Sequence, residues 1–168
     1  MIKNEKLWCF LCFEKLRNAI TTGNQDQIIH LFSPTDKSFR APIFVSWYVK
    51  DELRGNVGCF EYIPIINGIT EYSITAAMKD WRYSPISRDE LCNLKCTVSI
   101  LQNYEKVYDL NNWEKGTHGI RLYIDGYTST LFPNEMDKEK SKSEIIFQML
   151  KMAGFSEDEI DDQKIQKT

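Results

Sequence analysis

Apolar residues along this chain change spacing repeatedly, and each change predicts an element. Residues 5 to 20 carry a nearly all-round apolar helix, with Leu7, Phe10, Leu11 and Phe13 close together and Gly23-Asn24 marking its end. Residues 24 to 41 are polar and irregular except for QIIHLF, and Ser33-Pro34 with Asp36 predicts a turn. PIFVSWYV, 42 to 49, is β-branched and aromatic and opens on a proline, which suits a strand. A turn at Lys50-Asp51-Glu52 returns the chain into LRGNVGCFEY, so the two segments form a hairpin.

Spacing then becomes helical. After Pro64, residues Ile65, Ile69, Tyr72 and Ala76 share one face of a helix that runs through KDWRY, on which Lys79 and Arg82 are neighbours and Asp80 faces with Ala76 and Ser73, and Ala76 and Ala77 permit close approach to a sheet. SRDELCNL is a polar connection of about one helical turn, and CTVSIL is the next strand. Residues 103 to 117 read as loop. HGIRLYI and YTSTLFP flank Asp125-Gly126, a pair that tolerates positive φ and predicts a tight type I′ hairpin. Ser141 and Glu144 fit a capping box; Ile145, Ile146, Met149 and Leu150 form an apolar face, and Gly154 stops that helix with Phe155 placed to pack behind it. The tail from Glu157 to Thr168 is charged and is expected to fray. Helices and antiparallel hairpins in this irregular order predict an α+β fold, a mixed and largely antiparallel sheet with packed helices, in one domain that could carry a second subdomain.

Composition narrows the function classes. An apolar fraction of 42% with 12% aromatics suffices for a packed core in 168 residues. A net charge of −3 gives no general attraction to nucleic-acid phosphates. No run approaches the roughly 18 apolar residues of a membrane-spanning helix, and the charged N-terminus does not fit a signal peptide. Five scattered cysteines suit free thiols, so an intracellular location, cytoplasm or nucleus, is expected.

The cysteines also permit a zinc site on paper, Cys9 and Cys12 with Cys92 and Cys96. Packing explains them better: Cys9 and Cys12 lie inside an apolar helix, and Cys96 alternates with Val98 and Ile100 along a strand. No metal or cofactor is therefore expected. His30 reads as a half-buried helical histidine without a catalytic partner. No dinucleotide or phosphate loop, nucleophile elbow or paired-histidine helix occurs. What remains are charged residues beside glycines: Arg54 in LRGNVG, Asp80 and Arg82 in KDWRY, and Glu114, His118 and Arg121 in WEKGTHGIR.

LRGNVGCFEY, YSITAAMKDWRYSPISRDEL, CTVSIL and WEKGTHGIRL, in that order, resemble the AMME-syndrome candidate-region (AMMECR) protein family over residues 7 to 155, and WCFLCFEKL is similar to the start of its eukaryotic members. The resemblance implies a mixed α/β fold of two subdomains and an AMMECR-like domain over 5 to 155. It assigns no reaction, since the family's biochemical function is not established. Leu53, Arg54, Gly55 and Gly58 match the family hexapeptide Leu-Arg-Gly-Cys-Ile-Gly, Val57 replaces isoleucine, and Asn56 stands at the cysteine. A nucleophilic cysteine is the natural enzymatic reading of that motif, and this chain lacks it there. Cys59 is no substitute, because residues 56 and 59 point to opposite faces of a regular strand. Family members also continue past the last helix with a further strand-rich segment, so either the sheet edge differs here or the chain is trimmed, and an open edge would offer a surface to a partner.

Two readings of the site follow. Asp80 is expected to fix the helix end through an ion pair with Arg54 or Arg82; the alternative is a polar pocket of Arg54, Asp80 and His118. On a regular strand His118 and Arg121 face apart, so they are not expected to grip one ligand. The favoured function is a non-enzymatic interaction module whose cleft, lined by Arg54, Gly55, Asn56, Gly58, Asp80, Arg82 and His118, holds a protein or peptide partner. The second is an enzyme or small-molecule binder in which Arg54 holds an anionic group and Asp80 or His118 is the acid or base.

Overall fold

The structure is a computed structural model that describes residues 5–21, 23 and 28–160. It divides into two compact units, Met1–Tyr104 and Glu105–Thr168. The expected helix stop at Asn24 and the end of the acidic tail, 161–168, lie outside the described residues.

The first unit is built on a long hairpin. Strand β1 (Arg40–Val49) pairs antiparallel with β2 (Glu52–Pro64) on one side and with β3 (Leu94–Ile100) on the other, giving the order β2-β1-β3. The hairpin turns on Lys50 and Asp51, both at positive φ (50° and 67°), the geometry a two-residue turn needs to match strand twist. In register, Trp47 lies between Gly55 and Cys96, and Val45 between Val57 and Val98. Those rows face helix α1 (Glu5–Thr21) and helix α3 (Ile65–Met78). Trp47 anchors the layer: it is fully buried, its Nε1 donates to the Ser73 carbonyl at 2.9 Å, and the Phe13 ring meets it edge-on at 5.0 Å.

Three local expectations are corrected here. Helix α1 is not buried all round, because Phe10 is solvent-exposed while Trp8, Leu11, Cys12 and Leu16 fill the core. Ser33 caps a short helix α2 (Pro34–Ser38) by the reciprocal bonds with Asp36, so the polar stretch before β1 is not all turn. His30 is also corrected: it is exposed on a single 3-10 turn and not half-buried on a helix, because the turn is too short to lay a face on the core.

The second unit pairs β4 (Ile120–Ile124) with β5 (Tyr127–Leu131) across Asp125 and Gly126, at φ 50° and 86°. Helix α4 (Lys142–Ala153) begins at the Ser141–Glu144 capping box and buries Ile145, Ile146, Met149 and Leu150 against Leu122, Leu131, Met136 and Trp113. It ends at Gly154 (φ 105°), whose N–H reaches Lys151 O while the Phe155 N–H reaches Leu150 O, the double closure that satisfies the last carbonyls. Glu157–Glu159 form a 3-10 turn, and Lys151 pairs with Glu157.

Candidate functional site

The hexapeptide lies on β2, an edge strand, and a bulge sets its geometry. Leu53 pairs with Tyr48 and Gly55 with Trp47, so Arg54 is the extra residue between them. The bulge carries its side chain off the sheet, where Nε donates to Glu90 Oε1 at 2.9 Å and Nη2 to the Ser84 carbonyl at 3.3 Å. Glu90 is itself held, since its other oxygen accepts from the Ser87 N–H at 2.9 Å and the Ser87 hydroxyl at 3.0 Å. The guanidinium, with the Ser87 N–H, draws the Glu90 carboxyl down to about 2.

From Gly55 to Cys59 the pairing with β1 is regular. Asn56 and Gly58 therefore share one sheet face, and Gly55, Val57 and Cys59 the other. Cys59 is thus turned away from the Asn56 side chain; it meets the hydroxyl of Tyr72 on α3, whose pKa is pushed up to about 12 by that contact and by burial.

Both glycines of the motif are filled by the protein's own backbone. A Cβ at Gly55 would come within 3.0 Å of the Ala76 carbonyl, and one at Gly58 equally close to the Ile43 carbonyl and the Phe44 ring. Gly55 lets α3 ride directly on the sheet, and Gly58 lets Phe44 lie across the strand. Close approach at these positions is made from within.

Asp80 completes the arrangement. Helix α3 ends at Met78, so Asp80, Trp81 and Arg82 lie on a turn beyond it and not on the helix as the sequence spacing implied. Asp80 Oδ2 accepts the Asn56 N–H at 2.9 Å and Arg82 Nη2 at 2.8 Å; Oδ1 accepts Arg82 Nε at 2.9 Å and the Arg82 N–H at 3.2 Å. Arg82 Nη2 also donates to the Asn56 carbonyl at 2.8 Å. The N–H and C=O that Asn56 turns away from β1 are thereby bonded as a neighbouring strand would bond them, which caps the sheet edge. Asp80 is 6% exposed. Burial alone would raise its pKa, but the Arg82 bonds and the Asn56 N–H outweigh it and hold the carboxyl below its ordinary value.

The sequence-derived residues thus fall into three groups. Asn56, Asp80 and Arg82 form one clasp; Arg54 pairs with Glu90, while Asp80 takes Arg82 as its partner. His118 belongs to the second unit, where it precedes β4, outside the strand the parity argument assumed, and its Nδ1 accepts the Glu114 N–H at 3.0 Å. Sequence reading missed Glu90, although Ser87-x-x-Glu90 carries the capping-box pattern. It also missed Trp81, which is 91% exposed between Asp80 and Arg82. Beside it the Arg82 guanidinium lies 5.5 Å from the centre of the Tyr83 ring.

Among the described residues, no group of three or more His, Cys, Asp or Glu side chains could hold a metal ion, and no helix is long and apolar enough to cross a membrane.

The family model AMMECR1 matches residues 9–168, and the chain belongs to that family. An uncharacterised protein of Saccharomyces cerevisiae is 32% identical over 148 residues, covering 71% of this chain and 59% of that one. An uncharacterised protein of Schizosaccharomyces pombe is 27% identical over 161 residues, covering 90% and 82%. An Arabidopsis thaliana protein is 39% identical over 92 residues, 43% of its length, so this chain spans about half the length of some relatives it matches. The crystal structure of an uncharacterised Pyrococcus horikoshii protein shares the fold with a TM-score of 0.73 at 19% identity, covering 90% of this chain and 80% of that one.

Proposed function

We propose that this chain is a non-enzymatic interaction module that contacts a protein or peptide partner around the signature hairpin, with Trp81 as its anchor. The observation that carries the reading is the exposure of Trp81, 91%, on a turn pinned on both sides by Asp80 and Arg82. A tryptophan is costly to leave in water and is among the residues most often decisive in interfaces. Holding it on a rigid turn reduces the entropy lost when a partner packs on it.

The charged residues support the same reading. Arg54 is committed to Glu90 and Ser84, and Asp80 to Arg82 and Asn56. A carboxylate drawn below its ordinary pKa by these bonds is a poor general base near neutral pH. Asn56 supplies no thiol. The clasp serves to present the surface.

Affinity purification of the tagged chain tests the proposal. A stoichiometric protein partner, lost with Trp81→Ala and retained with a substitution at an exposed position outside the hairpin and its clasp such as Lys6→Ala, is the expected result. A small anionic metabolite that co-purifies and is lost with Arg54→Ala would replace this reading with that of a small-molecule binder.

A further inference from the structure

Three of the five cysteines come together although Cys96 is far from Cys9 and Cys12 in sequence. Cys9 and Cys12 stand one turn apart on α1, on the side whose neighbour Phe13 packs on Trp47, and the strand partner of Trp47 on β3 is Cys96. The Cys9 thiol lies 3.7 Å from the Cys96 carbonyl oxygen, and the Cys96 thiol is within hydrogen-bond reach of both helix thiols. None of the three is joined in a disulfide; Cys12 is fully buried, and Cys9 and Cys96 are half-buried. Cys92, four residues before Cys96, is exposed and donates to the Asp89 carbonyl at 3.6 Å.

We infer that Cys96 and the Cys9/Cys12 pair are an oxidation site, at which a disulfide closes between β3 and α1. Cys9 is the entry point, since Cys12 is sealed in the core. With glutathione disulfide as oxidant, Cys9 loses its proton and attacks one glutathione sulfur, releasing one glutathione thiolate. The Cys96 sulfur, after losing its proton, then attacks Cys9 in the mixed disulfide, forms the Cys9–Cys96 bond and expels the second glutathione. The protein sulfurs give up two electrons, the glutathione disulfide gains them, and the two protons end on the two glutathione thiols. Cys12, beside Cys96, can take over the bond by exchange within the cluster.

The bond would bridge residues 87 positions apart, which restricts the unfolded chain strongly. Mutual hydrogen bonding and burial push the Cys9 thiol well above its usual range, so the thiolate is scarce at neutral pH. The site therefore closes slowly under sustained oxidation, and the burial that slows closing also slows reduction of the finished bond.

The full chain is incubated with excess glutathione disulfide, free thiols are alkylated, and peptides are mapped without reduction. The expected product is a cross-link between the peptide carrying Cys9 and Cys12 and the peptide carrying Cys96, lighter by two hydrogens, with Cys59 still alkylated. The oxidised form melts about 5–10 °C higher than the reduced one, and dithiothreitol reverses the gain. Cys96→Ala abolishes both signals and Cys92→Ser leaves both. If Cys92 becomes fully glutathionylated while no α1–β3 cross-link forms, or if the cross-link uses Cys59 or Cys92, the inference is wrong.

Discussion

Asp80 and Arg82 grip the backbone of one residue from both sides: the carboxylate takes the Asn56 N–H at 2.9 Å and the guanidinium takes the Asn56 carbonyl at 2.8 Å. A side-chain pair here does what a further strand would do. Asp80→Asn keeps the shape but cannot accept the same set of charge-assisted bonds, and it leaves a partly buried guanidinium short of its counter-ion. It should lower stability by about 2–3 kcal/mol in urea unfolding, with the slope against denaturant unchanged.

Arg54 and Glu90 give the chain an acid-sensitive contact. The Glu90 carboxyl sits at about 2 in the folded state against 4.5 for the free side chain, so folding favours its ionised form. That stabilisation is present in full above about pH 5 and is lost as pH falls from there towards 2. Both side chains touch solvent, 21% and 27% exposed, so screening reduces the contribution to about 1 kcal/mol. Glu90→Gln should flatten the acid limb of stability against pH by that amount and change little at pH 7 and above except a constant loss.

Gly55 and Gly58 can be tested for packing directly. Gly55→Ala drives a methyl into the Ala76 carbonyl, and Gly58→Ala into the Ile43 carbonyl and Phe44. Backbone cannot yield as a flexible side-chain tip can, so each should cost about 3 kcal/mol or more, seen as a large fall in Tm or loss of soluble protein. Gly126→Ala meets no atom and pays only for its φ of 86°, about 1 kcal/mol. A glycine needed only to admit a ligand would leave stability unchanged on substitution.

Helix α4 offers a local control. Ser141→Ala removes the hydroxyl that accepts the Glu144 N–H at 3.3 Å and donates to its carboxylate at 2.7 Å. The expected loss is about 1 kcal/mol by thermal or urea unfolding, with no effect on partner binding.

What the sequence disclosed follows the range of the interactions. Ser141, Glu144 and Gly154 fix a helix within 14 residues, and Asp125-Gly126 fixes a hairpin by backbone preference alone, so both were legible. Asn56 and Cys59 were rightly placed on opposite faces, because strand parity survives wherever no bulge intervenes. The bulge at Arg54 was hidden, since it depends on how β1 and β2 register along their whole length. Its partner Glu90, 36 residues on, is a tertiary choice that no local pattern encodes. Helix spacing misled at Asp80 and Arg82, because the helix stops at Met78 and the turn beyond it sets their directions. The exposure of Trp81 was equally invisible, for an aromatic beside a helix end reads as core until neighbours are known. Cysteine spacing alone suggested a zinc set with Cys92; the fold instead gathers Cys9, Cys12 and Cys96 and leaves Cys92 in solvent.

In the proposed interaction the signature hairpin and its clasp present Trp81 to a protein partner. The most direct test is the affinity of the co-purified partner for the wild-type chain and for Trp81→Ala, measured by calorimetry on folded proteins of matched Tm. The account predicts a loss of about 2 kcal/mol or more, roughly 30-fold or greater in Kd, with stability unaltered. Equal affinity for the two proteins would contradict it.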